Sequence, residues 1–110
     1  MRSKFNNEKV VVSGIKFSSR AEGERWASLV LLQQAGHIRE LMRQVRFELA
    51  PSVVINGRKK PALTYWADFQ YVETRTGKTV VEDKKGVVTS VYVVKRHLMK
   101  SVHGIDIFET

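Results

Sequence analysis

The sequence predicts a small α/β domain in which a mixed sheet of about four strands is flanked by two helices. Three observations carry this. Residues 19–35 form a capped segment with helical periodicity. Residues 45–49, 63–72 and 79–85 read as strands, the last two as a hairpin. A second helical segment ends at Gly104 and is followed by one more alternating run. A length of 110 residues suits one core rather than two, and a hydrophobic fraction of 43% with a charged fraction of 27% excludes a disordered chain.

In chain order, residues 1–14 are expected to be a flexible polar lead-in to a single domain over 15–110. Val10–Val12 and Gly14–Phe17 stay open between a short strand and an irregular segment. Ser19-Arg20-Ala21-Glu22 fits a capping box, with Ser19 on the Glu22 amide and the Glu22 carboxylate reaching back to the Ser19 amide. The first helix then runs to about Ala35, with Gly36 as its left-handed stop. Trp26, Leu29, Val30 and Gln33 make its stripe, flanked by Leu31 and Leu32. Residues 37–44 are open between a helical turn and a connector.

Val45–Leu49 alternates apolar and charged residues as a half-buried strand does, and Pro51 ends it. Asn56-Gly57 and Arg58-Lys59-Lys60 read as a basic loop. Leu63–Val72 is rich in aromatic and β-branched residues and reads as a strand. Thr76-Gly77 marks the turn to the return strand Thr79–Lys85. Thr89 or Ser90 caps the second helix, with Val91, Val94, Leu98 and Val102 as its apolar stripe. Ile105–Glu109 alternates as a last strand.

Lys plus Arg number 19 against 11 Asp plus Glu, a net charge of +8, and there is no Cys. The missing thiols exclude disulfide scaffolds, Cys-ligated zinc, iron–sulfur sites and thiol nucleophiles. No apolar run approaches a bilayer span, and MRSKFNNEK lacks the apolar stretch of a signal peptide, so a cytoplasmic protein with no membrane partner is expected. The charge points to a polyanion, of which nucleic acid is the commonest; a solubilising surface is the plain alternative. Nine of the basic residues lie in 1–50 and ten in 51–110, so any polyanion surface must be assembled by the fold.

The odd feature is Asp68 within Tyr65-Trp66-Ala67-Asp68-Phe69, a carboxylate among aromatics that needs a partner. A turn of two or four residues centred on Thr76-Gly77 sets Asp68 against Lys85 and Asp83 against Gln70. Strand alternation then puts Asp68, Asp83 and Lys85 on one face, with Glu82 and Lys84 on the other, Glu82 outward. A three-residue loop would select Glu82 and Lys84 instead. Two carboxylates and a lysine suit a hard divalent cation acting on a phosphodiester. An ion-paired hairpin, with Lys84 or Lys85 satisfying Asp68, is the purely structural alternative.

Tyr65–Phe69, a short hairpin and Val80-Val81-Glu82-Asp83-Lys84-Lys85-Gly86 together resemble the core motif of the PD-(D/E)XK nuclease superfamily. More narrowly, the chain is similar to a small phage-encoded, Holliday junction resolvase-like branch of it. That branch has a Phe-x-Ser-x-x-x-Glu helix start, matched with a one-residue shift by Phe17, Ser18 and Glu22. Gly36-His37-Ile38, then Gln44, Phe47 and Leu49, then the two acidic motifs and a Lys-bearing helix follow in the branch's order. Ala67 stands where the motif has Pro.

The resemblance implies a restriction-endonuclease-like core and a Mg²⁺- or Mn²⁺-dependent DNA endonuclease. Asp68 and Asp83 would be metal ligands, Lys85 the catalytic lysine and Glu22 an acid from the first helix. Gln44 stands either near the metal water or simply at a strand start. Lys95, Arg96 and Lys100, with Arg58, Lys59 and Lys60, are candidate phosphate contacts. His37, His97 and His103 lack ligand spacing, and Trp26 and Trp66 read as core residues. Small size favours recognition of branched DNA over a base sequence, and the branch's members act as homodimers. Two other readings stay open: a DNA-binding replication or recombination accessory without cleavage, and an adaptor that binds a host protein.

Overall fold

The computed structural model describes residues 10–12 and 14–110. Of the lead-in expected over 1–14, residues 1–9 and Ser13 lie outside the described residues. Val10–Val12 (β1) and Ile15–Phe17 (β2) pair as a short antiparallel ladder rather than an irregular segment. The helix α1 (Arg20–Gln34) follows, then β3 (Ile38–Ala50), β4 (Val53–Ile55), β5 (Arg58–Lys60), β6 (Leu63–Glu73), β7 (Thr79–Asp83), α2 (Ser90–His103) and β8 (Phe108–Glu109). The main sheet has four strands in the order β3-β6-β7-β8, antiparallel except for the parallel β7–β8 pair, so the expected mixed α/β fold is the one observed.

Ser19 caps α1, its Oγ accepting the Glu22 N–H at 3.1 Å. Leu29 is buried, and Trp26 stacks between Phe17 and Phe69 at centroid distances of 6.2 and 6.0 Å. Leu31 is exposed, and Gln33 is no core residue: its Oε1 accepts the Leu41 N–H at 2.9 Å. The open segment 37–44 is strand, which makes β3 13 residues long. The basic loop is an exposed hairpin instead, because Asn56 and Gly57, at φ 50° and 76°, form the left-handed turn that joins twisted strands.

On α2 the structure departs from the expected stripe. Tyr92 and Met99 are the buried residues, whereas Val91, Val94 and Val102 are 62, 57 and 52% exposed. The long side chains reach the sheet: Tyr92 donates to Glu109 at 2.5 Å and Met99 joins the core with Leu49, Tyr65, Ala67 and Val81. The shorter side chains of Val91, Val94 and Val102 do not. The last strand shrinks to two residues, since β7 stops at Asp83 and offers only two rungs; Ile105 and Ile107 pack on the core from outside it.

One irregularity positions the site. Tyr65 and Ala67 of β6 belong to the cluster under α2, but Phe69 and Tyr71 belong to the cluster under α1 with Leu29. These residues alternate along one strand and would share a face in regular structure. The change of face occurs at Asp68. In β3, between the rungs Arg43–Phe69 and Val45–Ala67, stands Gln44 with φ 54°, a non-glycine residue in left-handed backbone. The twist it introduces turns the sheet over at the acidic residue.

Candidate active site

Asp68 and Asp83 meet where β6 and β7 part. The observed rungs run from Val72–Thr79 to Phe69–Glu82, so the next residues on the two strands, Asp68 and Asp83, stand opposite each other. The register is thus two residues from the expected one, with the loop centred earlier in the turn. A shift of two leaves the faces unchanged, so Asp68 and Asp83 still meet. The Lys84 N–H donates to Asp68 Oδ2 at 2.8 Å. Asp83 accepts the Tyr65 hydroxyl and pairs with Lys85 Nζ at 3.2 Å. Lys85 also lies 4.0 Å from the Tyr92 ring centroid, a cation–π contact that fixes its ammonium beside Asp83.

Glu22 faces the same cleft. Its carboxylate does not return to the Ser19 amide as the capping box predicts; it accepts the Ser18 hydroxyl at 2.6 Å and Gln44 Nε2 at 3.4 Å. Gln44 therefore touches Glu22 rather than either aspartate. Ser18, Glu22, Asp68, Asp83, Lys84 and Lys85 are among the residues lining a cleft of about 590 Å³. Asp68, Asp83 and Lys85 also line an adjoining cleft of about 270 Å³ that reaches Lys95.

Glu82 takes no part in either cleft. It is not outward-facing but fully buried, because α1 covers that side of β7. Arg25 Nε and Nη2 bind its two oxygens at 2.6 and 3.0 Å, Tyr71 donates at 2.8 Å and Thr110 at 3.3 Å. The Glu82 bond raises the Arg25 pKa, and burial, with Glu82 second, pushes Tyr71 up to about 12. Lys84 and Glu82 are thus not the convergent pair.

Among the other candidates, Arg96 is held by Glu109 at 3.0 Å and Lys100 by Asp106 at 2.8 Å. Arg58, Lys59 and Lys60 are exposed on the β4–β5 hairpin and line neither cleft. His37, His97 and His103 are exposed, and His103 Nε2 lies 2.7 Å from the Glu48 carbonyl. Trp26 is a core residue as expected; Trp66 is not, being 52% exposed. Tyr65 and Arg25 were not singled out in the sequence. Tyr65 is legible as an aromatic on the strand that carries Asp68, but Arg25 lies 57 positions from Glu82 and gives no local signal.

The chain's family model, "Protein of unknown function (DUF1064)", matches residues 2–105. The chain belongs to the DUF1064 family. No curated protein and no solved structure matches it. In this DUF1064 protein no helix among the described residues is long and apolar enough to cross a membrane.

Burial, then the neighbouring Asp83 carboxyl, pushes Asp68 up to about 8; the Lys84 N–H opposes this and the Glu22 charge adds to it. Among the described residues no three or more His, Cys, Asp or Glu side chains gather as a metal cage. The donors are two facing carboxylates, with a lysine ion-paired to Asp83 and a backbone amide on Asp68. That oxygen set fits Mg²⁺ or Mn²⁺, ions that take one or two protein carboxylates and complete their shell with water and substrate phosphate.

The raised Asp68 pKa has a consequence for stability. The folded protein keeps this proton to about pH 8, whereas the unfolded chain releases it near 3.8. The folded state binds more protons across that window, so this group's contribution to stability is complete below the unfolded value and is lost as pH rises. In EDTA the thermal midpoint is expected to fall between about pH 5 and pH 8. A midpoint that climbs steadily over that range would contradict it.

Proposed function

We propose that this protein is a Mg²⁺- or Mn²⁺-dependent DNA endonuclease selective for branched DNA such as Holliday junctions. The observation that carries the reading is the convergence of Asp68, Asp83 and Lys85 where two strands part, with Glu22 in the same cleft. An ion-paired hairpin accounts for Asp83 and Lys85 but not for Asp68, whose half-buried carboxyl faces another acid. The order of elements, helix, three antiparallel strands, helix and parallel strand, supports the resemblance to PD-(D/E)XK nucleases.

In this reading Asp68 and Asp83 would hold the cation, and such a cation would supply water activation and charge neutralisation at the scissile phosphate. Lys85 donates to a nonbridging phosphate oxygen or to the attacking water, and its contacts with Asp83 and the Tyr92 ring fix its approach. Tyr65 orients Asp83 by its hydroxyl. Lys95 and the exposed Arg58–Lys60 hairpin contact neighbouring phosphates. Arg96 and Lys100 contribute charge while paired to Glu109 and Asp106. A homodimer would present two sites for paired nicks.

The test is incubation with four-way junction, single-stranded and linear duplex DNA, with Mg²⁺, Mn²⁺ or EDTA. Metal-dependent cleavage of the junction is expected, reduced about 100-fold or more by Lys85→Ala. Cleavage undiminished in that variant would remove Lys85 from the reading. Binding without cleavage in every metal condition would favour an accessory DNA-binding role, and no binding even at low salt would favour a protein-binding adaptor.

A further inference from the structure

We infer that the β4–β5 hairpin is a ribbon arm that enters the major groove of duplex DNA about five to eight base pairs from the scissile phosphate. This rests on the reading of the protein as one that acts on DNA. No acidic residue occurs from residue 49 to residue 67, a stretch that holds Arg58, Lys59 and Lys60. All three are exposed, and among the described residues no carboxylate pairs with their side chains. Arg96 and Lys100, by contrast, are held by Glu109 and Asp106. Val53, Val54 and Ile55 on the facing strand are exposed as well.

The sequence builds this arm deliberately apart from the domain. The β3–β6 ladder ends at the Ala50–Leu63 rung and pairing resumes at Val53–Lys60. The chain's two prolines, Pro51 and Pro61, stand in that gap, one on each strand. Proline fixes φ and has no N–H to give a rung, so the break in the ladder is set by sequence. Every residue from 51 to 61 is exposed, so the ribbon beyond the break projects from the domain.

Its register selects the partner. Val53 with Lys60 and Ile55 with Arg58 share one face, and Val54 with Lys59 the other. Each face therefore carries an aliphatic beside a cation, and neither can be covered by a protein core without burying an unpaired charge. A groove accepts both: phosphates along its wall take the basic side chains of β5, while the aliphatics of β4 lie against base edges and thymine methyls. Major-groove width admits a two-stranded ribbon. The advance of about 3.3 Å per residue in β5 keeps pace with about 3.4 Å per nucleotide, so Arg58 and Lys60 meet phosphates about two apart. The distance to the cleft follows from β6. From Leu63 at the neck to Asp68 the strand covers about 17 Å, and the chain from Lys60 to Asp68 spans at most about 27 Å. The arm thus grips a duplex stem on one side of the cleaved bond, such as one arm of a branch.

The experiment measures binding in EDTA, so that it does not depend on cleavage, using 5′-labelled forked DNA whose loop-closed stem has about 14 or about 4 base pairs. The variant combines Arg58→Ala, Lys59→Ala and Lys60→Ala, all at exposed positions, and its thermal midpoint should match the wild type's. On the long stem the variant is expected to bind about tenfold or more weakly, with the slope of log K against log salt smaller by about 2–3. On the short stem, which ends before the arm, the two proteins should bind within about twofold of each other. Equal losses on both stems, an unchanged salt slope, or no binding of the long stem by the wild type would each overturn the inference. So would a paired Val53→Ser and Ile55→Ser variant that changes the sedimentation of the protein and leaves long-stem binding intact, since the ribbon would then be a subunit contact. Metal-dependent cleavage by the wild type is scored separately. Its absence with the stem-length difference intact would overturn the nuclease reading and leave the arm standing; cleavage without that difference would overturn the arm alone.

Discussion

Asp68→Asn is expected to abolish metal-dependent cleavage and, in the same protein, to raise the thermal midpoint at neutral pH. The two effects share one cause. Asp68 is a half-buried carboxyl beside the buried Asp83, and partial burial and that neighbour favour its protonated form up to about pH 8. Asparagine has the shape of that form and still accepts the Lys84 N–H, so the fold keeps its contact while unfolding no longer gains from releasing the Asp68 proton. The falling limb of stability between about pH 5 and 8 should flatten in the variant.

For a cation held as proposed, the effect would be the opposite. A neutral amide is a weak ligand for a hard divalent cation, and electrostatic stabilisation of the phosphoryl centre is worth several kcal/mol, so activity should drop roughly a thousandfold or more. Added Mg²⁺ should raise the midpoint of the wild type at pH 8 and leave the variant unmoved. A variant that is both active and no more stable would show Asp68 to be neither a ligand nor a crowded acid. A residue kept only for packing does not oppose stability in this way; one kept for a ligand does.

The sequence made the site legible to the extent that its signals are local. The Ser19 cap, the Gly104 stop and the hairpin order are local, and each is where the residues put it. Asp68 was conspicuous because a carboxylate is out of place among aromatics, and parity joined it to Asp83 even though the register came out two residues away. The choice of helix face on α2 was not legible. Val91, Val94 and Val102 have the right spacing, but so does the row with Tyr92 and Met99, and reach to the sheet decided between them. The face of Trp66 was hidden for a related reason. Strand alternation predicts it only if the strand is regular, and the left-handed Gln44 opposite Asp68 breaks that regularity. In the sequence Glu82 reads as an outward residue because nothing near it in the chain announces Arg25.

That ion pair sets the second large effect. Glu82→Ala is expected to destabilise the fold by about 3–5 kcal/mol, since it leaves the Arg25 guanidinium and the Tyr71 hydroxyl facing a buried gap with no acceptor. For a domain of this size the thermal midpoint should fall by more than about ten degrees. Asp83, its neighbour in sequence, should behave differently: Asp83→Asn removes cleavage while the Tyr65 and Lys85 contacts, both at the cleft, are weakened without emptying the core. The two variants therefore separate a fold-holding acid from the proposed metal ligand one position apart. A double variant gives the sharper result. Arg25→Met with Glu82→Leu replaces a buried pair by apolar groups of similar volume, and should be more stable than Glu82→Ala alone, because the large cost lies in the unmatched charge rather than in the lost attraction. If the double variant is as unstable as the single one, the Glu82 network is more than a charge pair, and its bonds to Tyr71 and Thr110 must hold the β7–β8 edge on which Asp83 depends.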